Sequence, residues 1–232
     1  GTGESLRILE PSAGIGNFIG LCPENFNARF MAVELDPTTS AIARYLYPKE
    51  QHLNIGFQNS LIRSGGIDAV VGNPPFGNQS LYDPDFPELR KFSVHNYFLA
   101  KSIDLLREGG VASFVVSRYF MDSADSTVRE HISQYADFLG AVRLPENAFR
   151  QNALTDVTAD VVFFQKNSGE KLYSRDWVNT ASIEVDDLKN GGRRPATINS
   201  YFVENPRQVI GTLAFSGGLF DAVSCVPDPG HA

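Results

Sequence analysis

Residues 67 to 77 carry an abrupt change of character that limits what this chain can become. Ile67 to Val71 is a mostly apolar, β-branched run of the kind that forms a strand covered on both faces, and Gly72-Asn73-Pro74-Pro75-Phe76-Gly77 follows at once. Prolines fix φ and offer no N–H to a ladder, so the strand must stop there. Asn73 is thereby expected at the carboxyl end of a parallel strand, which is where open α/β sheets bind their ligands.

The chain has 232 residues, 42% of them hydrophobic, which suits one large α/β domain or one domain with a small appendage. No apolar run approaches the roughly 18 residues of a bilayer span, and the amino terminus lacks a basic-then-apolar leader, so a soluble, cytoplasmic protein without membrane partners is expected. Cys22 and Cys225 are the only cysteines, which suggests neither a disulfide framework nor a Cys-His metal site and fits a reducing compartment. A net charge of −7 argues against the whole surface being a phosphate-binding face. Only Arg90-Lys91 and Arg193-Arg194 pair basic residues in the stretches that follow Asn73 and near the carboxyl end, and both read equally well as solvated surface.

Upstream of Asn73 the pattern is strand, glycine turn, helix: Leu6 to Leu9, then Glu10-Pro11-Ser12-Ala13-Gly14-Ile15-Gly16, then a helix to about Leu21. Gly14 and Gly16 let a backbone come close to a ligand, and the helix start offers free N–H groups. Ile19 replaces the third glycine of a dinucleotide fingerprint, which weakens a nicotinamide reading. A purely structural turn is an equal alternative. Phe30 to Val33 forms a second strand ending at Glu34, an acid positioned to accept from both hydroxyls of a ribose. Asp36 caps the next helix, with Pro37 at its first position and Ile42 and Leu46 on its buried face. Leu53 to Ser60 supplies a third strand and a loop, in which Phe57 either flanks a ligand or fills the core.

Beyond Phe76, residues 77–87 are turn formers without periodicity and read as a long mobile loop, either a lid or plain disorder. His95 opens a helix to about Arg107 that Gly109-Gly110 should end, and the histidine reads as helix-start packing or capping. Val111 to Ser117 is the next buried strand, with Tyr119 just past its carboxyl end. A helix over 125–135 and strands over 138–144 and 160–165 follow, with a polar loop beginning near Phe149.

Asn-Pro-Pro-Phe at a strand end, with Glu-Pro-x-x-Gly-x-Gly upstream, resembles the gamma-type adenine DNA methyltransferases across residues 5 to 166. The resemblance implies a Rossmann-like α/β fold, a mainly parallel seven-strand sheet with helices on both faces and the last strand antiparallel. It implies S-adenosylmethionine as cofactor, no metal, and transfer of its methyl group to the exocyclic amine of adenine in DNA. Asn73 and the Pro74 carbonyl would accept the two amine N–H bonds, and Phe76 would stack on a flipped base. Tyr119 and Phe149 are further candidates for the base, although Phe149 reads equally as an anchor for its loop. The cofactor would lie against Glu10, Pro11, Ala13, Gly14, Gly16, Glu34, Leu35 and Asn73. Gln58 and Asn59 stand where many relatives carry an acid for the cofactor's amino group; an amide oxygen can accept the same bond.

The sequence pattern changes at Gly169, so residues 1–168 are expected to form the catalytic domain and 169–232 an appendage that is not an independent domain. Asn199-Ser200-Tyr201-Phe202 and Asn205-Pro206 are similar to stretches after the methylase domain of large methylase-helicase proteins of mobile elements, in a restriction-modification setting. A longer polypeptide or complex would then read the DNA sequence, this chain binding DNA only weakly. Methylation of protein glutamine, methylation of an RNA base, and a non-catalytic cofactor-binding scaffold remain alternatives.

Overall fold

A computed structural model describes residues 5–150, 157–168, 175–217 and 222–228. It divides into two compact units: residues 1–114, 134–137 and 163–172 in one, and 115–133, 138–162 and 173–232 in the other. Strands β1 (Leu6–Glu10), β2 (Ala28–Glu34), β3 (Gln51–Asn54), β4 (Ile67–Gly72), β5 (Leu106–Ser117), β6 (Ala136–Leu144) and β7 (Ala159–Lys166) form a seven-stranded sheet in the order β3-β2-β1-β4-β5-β7-β6. The first five strands in that order pair in parallel. β7 runs against β5: the Arg118 N–H, just past β5, donates to the carbonyl of Thr158, while Gln165 donates to Gly109 near the start of β5.

The chain leaves β1 for β2 and β3 on one side and then returns to β4 on the other. Successive connections thus diverge between β1 and β4, the switch point at whose carboxyl ends such sheets bind ligands. Ile8, Ala13, Phe30 and Ala32 bury one face of these strands together with Ile19 of α1 (Asn17–Leu21). In α2 (Pro37–Leu46), the Asp36 carboxylate accepts from the Thr39 N–H at 2.7 Å and Pro37 opens the helix, as its sequence requires. Its buried face is not the expected one. Ile42 and Leu46 are 44% and 49% exposed, whereas Ser40 and Ala43 are buried, because small side chains let the helix sit close to β2 and β3.

Helix α3 (Val94–Leu105) starts at Ser93 and is buried almost all round, as a helix covered on several sides must be. It ends at Leu105, two residues early, and Gly109-Gly110 lies inside β5 instead. A Cβ at Gly110 would stand 3.0 Å from the carbonyl of Asp68 on the neighbouring strand, so close strand approach explains that glycine better than helix termination.

In the second unit, β8 (Thr180–Asp187) and β9 (Arg193–Asn199) form an antiparallel hairpin extended by β10 (Thr212–Phe215) and β11 (Val223–Val226) into a four-stranded sheet in the order β11-β10-β8-β9. Two short helices, α4 (Arg118–Asp122) and α6 (Ser200–Glu204), and most of α5 (Thr127–Tyr135) belong to the same unit. Its centre is ionic. The fully buried Arg143 guanidinium meets Asp160 at 2.8 Å and Asp122 at 2.9 Å, and lies 4.3 Å over the Phe202 ring. Burial opposes the guanidinium charge, but the two carboxylates outweigh it and raise its pKa; burial likewise raises that of Asp160 against the pull of Arg143.

Asn199 completes the knot. Its backbone N–H donates to Asp122, its amide donates to the carbonyls of Met121 and Trp177, and its oxygen caps α6 through Tyr201. The Asn-x-Tyr-Phe stretch therefore acts here as a structural hub. Replacing Arg143 by Met leaves the buried Asp160 without its cation and Asp122 with only the longer Arg118 contact at 3.5 Å, and a loss of about 3–5 kcal/mol is expected from urea unfolding midpoints.

Candidate active site at the ends of β1 and β4

At the end of β1 the chain turns sharply, held by the Ala13 N–H donating to Val33 and the Gly16 N–H to Ala13, both at 2.9 Å. Gly14 has φ +55° and a Cβ there would meet nothing within 4 Å, so this glycine faces open space large enough for a ligand to approach the backbone. Gly16 is different. With φ +86°, its Cβ would lie 2.7 Å from the Tyr47 ring, so Gly16 lets the first turn of α1 pack against that tyrosine.

Glu34 at the end of β2 ties this turn down. One carboxylate oxygen accepts from the Gly14 N–H and the other from the Asp36 N–H, each at 2.8 Å, which leaves one lone pair per oxygen for further donors. The Asn54 amide donates to the carbonyls of Glu34 and Leu35, fixing the peptide beside an exposed Leu35. Glu10 is only 2% exposed, and one of its carboxylate oxygens is buried without a hydrogen-bond partner. Burial pushes its pKa up to about 8, a backbone hydrogen bond from Phe18 opposing and the Glu34 charge adding to the shift. Its unpartnered oxygen can accept from a cationic group, whose charge would favour the ionised form.

β4 ends against the same turn. Gly72 is needed there because a Cβ would lie 3.2 Å from the Pro11 ring, and the Ser12 hydroxyl donates to the Asn73 carbonyl at 3.0 Å. Asn73 is exposed, Pro74 is buried, and Phe76 is 58% exposed with its ring stacked on that of His95 at 5.2 Å and 29°.

The segment after Phe76 is pinned rather than free along its length. The Val94 N–H donates to the Gln79 carbonyl, and Asp83 is buried in a cluster with Tyr97 and Lys101. Tyr97 donates to Asp83 at 2.5 Å, and Lys101 donates to Asp83 at 2.8 Å and to the Phe57 carbonyl at 2.7 Å. Burial alone would raise the Asp83 pKa, but the Lys101 and Tyr97 hydrogen bonds bring it below the ordinary value. Phe57 is in the core, tilted against Phe98 at 4.9 Å, while Gln58 is half-buried and Asn59 exposed on the same turn.

Comparison with known proteins now decides the family. The Eco57I restriction-modification methylase family matches residues 24–148, more than half of the chain. The chain belongs to the Eco57I restriction-modification methylases. Over 182 residues it is 28% identical to "Defense against restriction protein B" of Escherichia phage P1, covering 77% of this chain and 8% of that protein. It is 36% identical over 114 residues to modification methylase CviBIII of Paramecium bursaria Chlorella virus NC1A, covering 47% of this chain and 30% of the relative. The chain thus spans well under two thirds of these relatives.

Among solved structures it resembles a Listeria monocytogenes protein assigned to the class I S-adenosylmethionine-dependent methyltransferases, with a TM-score of 0.59 and 17% identity over 75% of this chain and 58% of that one. It also resembles the type I restriction enzyme EcoKI M protein, with a TM-score of 0.53 and 20% identity over 89% of this chain and 49% of that one. The fold is that of the class I methyltransferases.

The family match takes in Glu34, Gln58, Asn59, Asn73, Pro74, Phe76 and Tyr119; the glycine turn at 10–16 and Phe149 lie outside it. The first unit brings together Glu10, Pro11, Ala13, Gly14, Glu34 and Asn73 to Phe76. Tyr119 and Phe149 belong to the second unit. There Tyr119 is exposed on α4 with the Arg118 guanidinium 4.3 Å over its ring, and Phe149 is half-buried in a turn. Ser12, Asn54, Asp83, Lys101 and the contact of His95 with Phe76 were not singled out by sequence reading. Tyr97 and Lys101, one helical turn apart on α3, were the available signal. Among the described residues no group of His, Cys, Asp and Glu could hold a metal, and no helix is long and apolar enough to cross a membrane.

The two glycines separate packing from ligand contact. Gly16→Ala should lower the melting temperature, since it adds a contact with Tyr47 to a left-handed backbone costing about 1–2 kcal/mol. Gly14→Ala should cost only the backbone strain, while filling the open space beside the turn; thermal melts of the two variants measure the difference.

Proposed function

We propose that this chain transfers the methyl group of S-adenosylmethionine to the exocyclic amine of adenine in DNA. The observation that carries the reading is the Ser12 to Asn73 hydrogen bond, which ties the Asn-Pro-Pro-Phe loop to the glycine turn at adjacent strand ends. The residues present fit the cofactor. Glu10 offers one unpartnered buried carboxyl oxygen for an ammonium, Gly14 leaves backbone room, and Glu34 keeps lone pairs for ribose hydroxyls.

When bound, S-adenosylmethionine supplies an electrophilic methyl group on a sulfonium. An aromatic amine is a poor nucleophile because its lone pair is delocalised into the ring. Asn73 Oδ1 and the Pro74 carbonyl accept its two N–H bonds, which favours a more tetrahedral nitrogen and turns the lone pair out of the ring. The Pro74 ring fixes φ and the following Pro75 restricts ψ, so that carbonyl is aimed in advance. Phe76, largely exposed, stacks on the base once it leaves the duplex. The amine sheds its proton after attack, so no strong base is required.

Residues 1–168 form the catalytic domain in this reading, and 169–232 its appendage; the hydrogen bonds from Asn199 and Arg129 that tie Trp177 and Val178 to α4 and α5 support treating the latter as dependent. Recognition of a DNA sequence belongs to further parts of a longer polypeptide or complex.

The test is incubation with methyl-labelled S-adenosylmethionine and DNA, RNA and protein in parallel, followed by mass spectrometry of nucleosides and peptides. N6-methyladenine in DNA is the expected product; label in RNA or glutamine alone would reassign the substrate. Asn73→Ala should lose transfer while binding the cofactor with nearly unchanged affinity, and retained turnover would sink the mechanism.

Glu10 adds a pH dependence with a defined sign. In the unliganded protein its carboxyl is held neutral up to about 8, so ionisation above the ordinary 4.5 works against the folded state as pH rises through that window. A bound ammonium favours the ionised form. Cofactor affinity should therefore rise with pH toward 8 and level off above it, and Glu10→Gln should flatten the slope in calorimetric titrations.

A further inference from the structure

Phe76 is more than half exposed on a loop of two prolines, yet its ring must hold one plane if a base is to stack on it. The ring that sets this plane is His95, whose centroid lies 5.2 Å from that of Phe76 with 29° between the planes. The imidazole itself is held on all sides. It is 7% exposed, sits in the first turn of α3 behind the Ser93 cap, and belongs to a helix in which nearly every side chain is buried.

What His95 offers the loop is its flat face. Neither buried ring nitrogen meets a partner with full hydrogen-bond geometry, but the Pro75 and Pro74 backbone lies close enough to act on the imidazole as a hydrogen-bond partner, so packing and these loop contacts together hold the ring. It also stays uncharged: burial lowers its pKa to about 4, and the nearby Pro75 and Pro74 backbone only partly opposes this. Two neutral rings stacked in this way leave the second face of Phe76 for a third.

We propose that His95 is a positioning residue, the fixed floor on which Phe76 lies, and that through Phe76 it sets the plane in which the flipped base presents its amine to Asn73 and Pro74. The proposal rests on the methyl-transfer reading given above. His95 touches neither the base nor the cofactor. Its loss should therefore slow the chemical step, because a small error in the plane of the base spoils the alignment of the amine, and should leave cofactor binding alone.

Single-turnover methylation of mixed-sequence duplex DNA, with calorimetric cofactor binding, tests this on the parent chain, His95→Ala and His95→Phe. His95→Ala should transfer roughly ten-fold or more slowly, with the cofactor Kd unchanged, while His95→Phe, which restores an aromatic face, should stay within about three-fold of the parent. An active parent with an unimpaired His95→Ala overturns the proposal alone. So does a His95→Phe as slow as His95→Ala with normal cofactor binding, or a parallel loss of cofactor binding, which would mark His95 as general packing. A parent that binds cofactor but labels no DNA overturns the underlying reading, and this assignment with it.

Discussion

The contact on which the site depends is the meeting of two strand ends, β1 and β4. Side by side in a parallel sheet, they would ordinarily diverge into separate loops, but Gly72 lets the Pro11 ring come against β4 and Ser12 then reaches the Asn73 carbonyl. The proline pair after Asn73 removes the remaining freedom. With φ fixed at two successive residues, the polypeptide has few ways to leave that contact, and the orientation of the Asn73 peptide is carried forward to Phe76.

Around that contact the first unit uses charge sparingly and in buried form. Glu34 spends both oxygens on the turn N–H groups, and the Lys101 ammonium, buried beneath the loop, joins Asp83 to the Phe57 carbonyl. Lys101 thereby links the segment following Phe76 to the turn bearing Gln58 and Asn59. An ammonium is suited to this role because it has three donors and no preferred plane, so one residue can satisfy a carboxylate and a carbonyl in different directions. Removing Lys101 would leave the buried Asp83 without its cation and the Phe57 carbonyl without that donor, so this one side chain couples both segments.

Much of this was legible from residues close in sequence. The end of β4 follows from proline chemistry, the Asp36 cap from an Asp-Pro pair, and the acid at the end of β2 from its place in the strand pattern. What escaped sequence reading depends on partners far apart. Asp83 and Lys101 look like ordinary surface residues until the loop is folded back, and the buried face of α2 is chosen by Ala43 and Ser40 because closeness to the sheet outweighs the hydrophobicity of Ile42 and Leu46. The division of Gly14 from Gly16 likewise needs Tyr47, which is thirty-one positions beyond Gly16. Asn199, a hub for Asp122, Met121 and Trp177, resembled only a family motif.

The placement of basic residues bears on how such a chain would meet DNA. Arg193 and Arg194, the basic pair near the carboxyl end, face Asp186 and Asp187 across the β8–β9 hairpin, and Arg194 also lies 3.7 Å over the Phe215 ring. Arg143 and Arg129 are buried on carboxylates and carbonyls. Arg90 and Lys91 lie over the rings of Tyr82 and Phe92, close in sequence to the Asn-Pro-Pro-Phe loop. Since a cation over an aromatic ring retains its charge, this pair can still meet a phosphate, whereas the hairpin arginines are offset by their own acids. With a net charge of −7, long-range attraction toward a polyanion is weak. A chain built this way is suited to act on a base that is delivered to it.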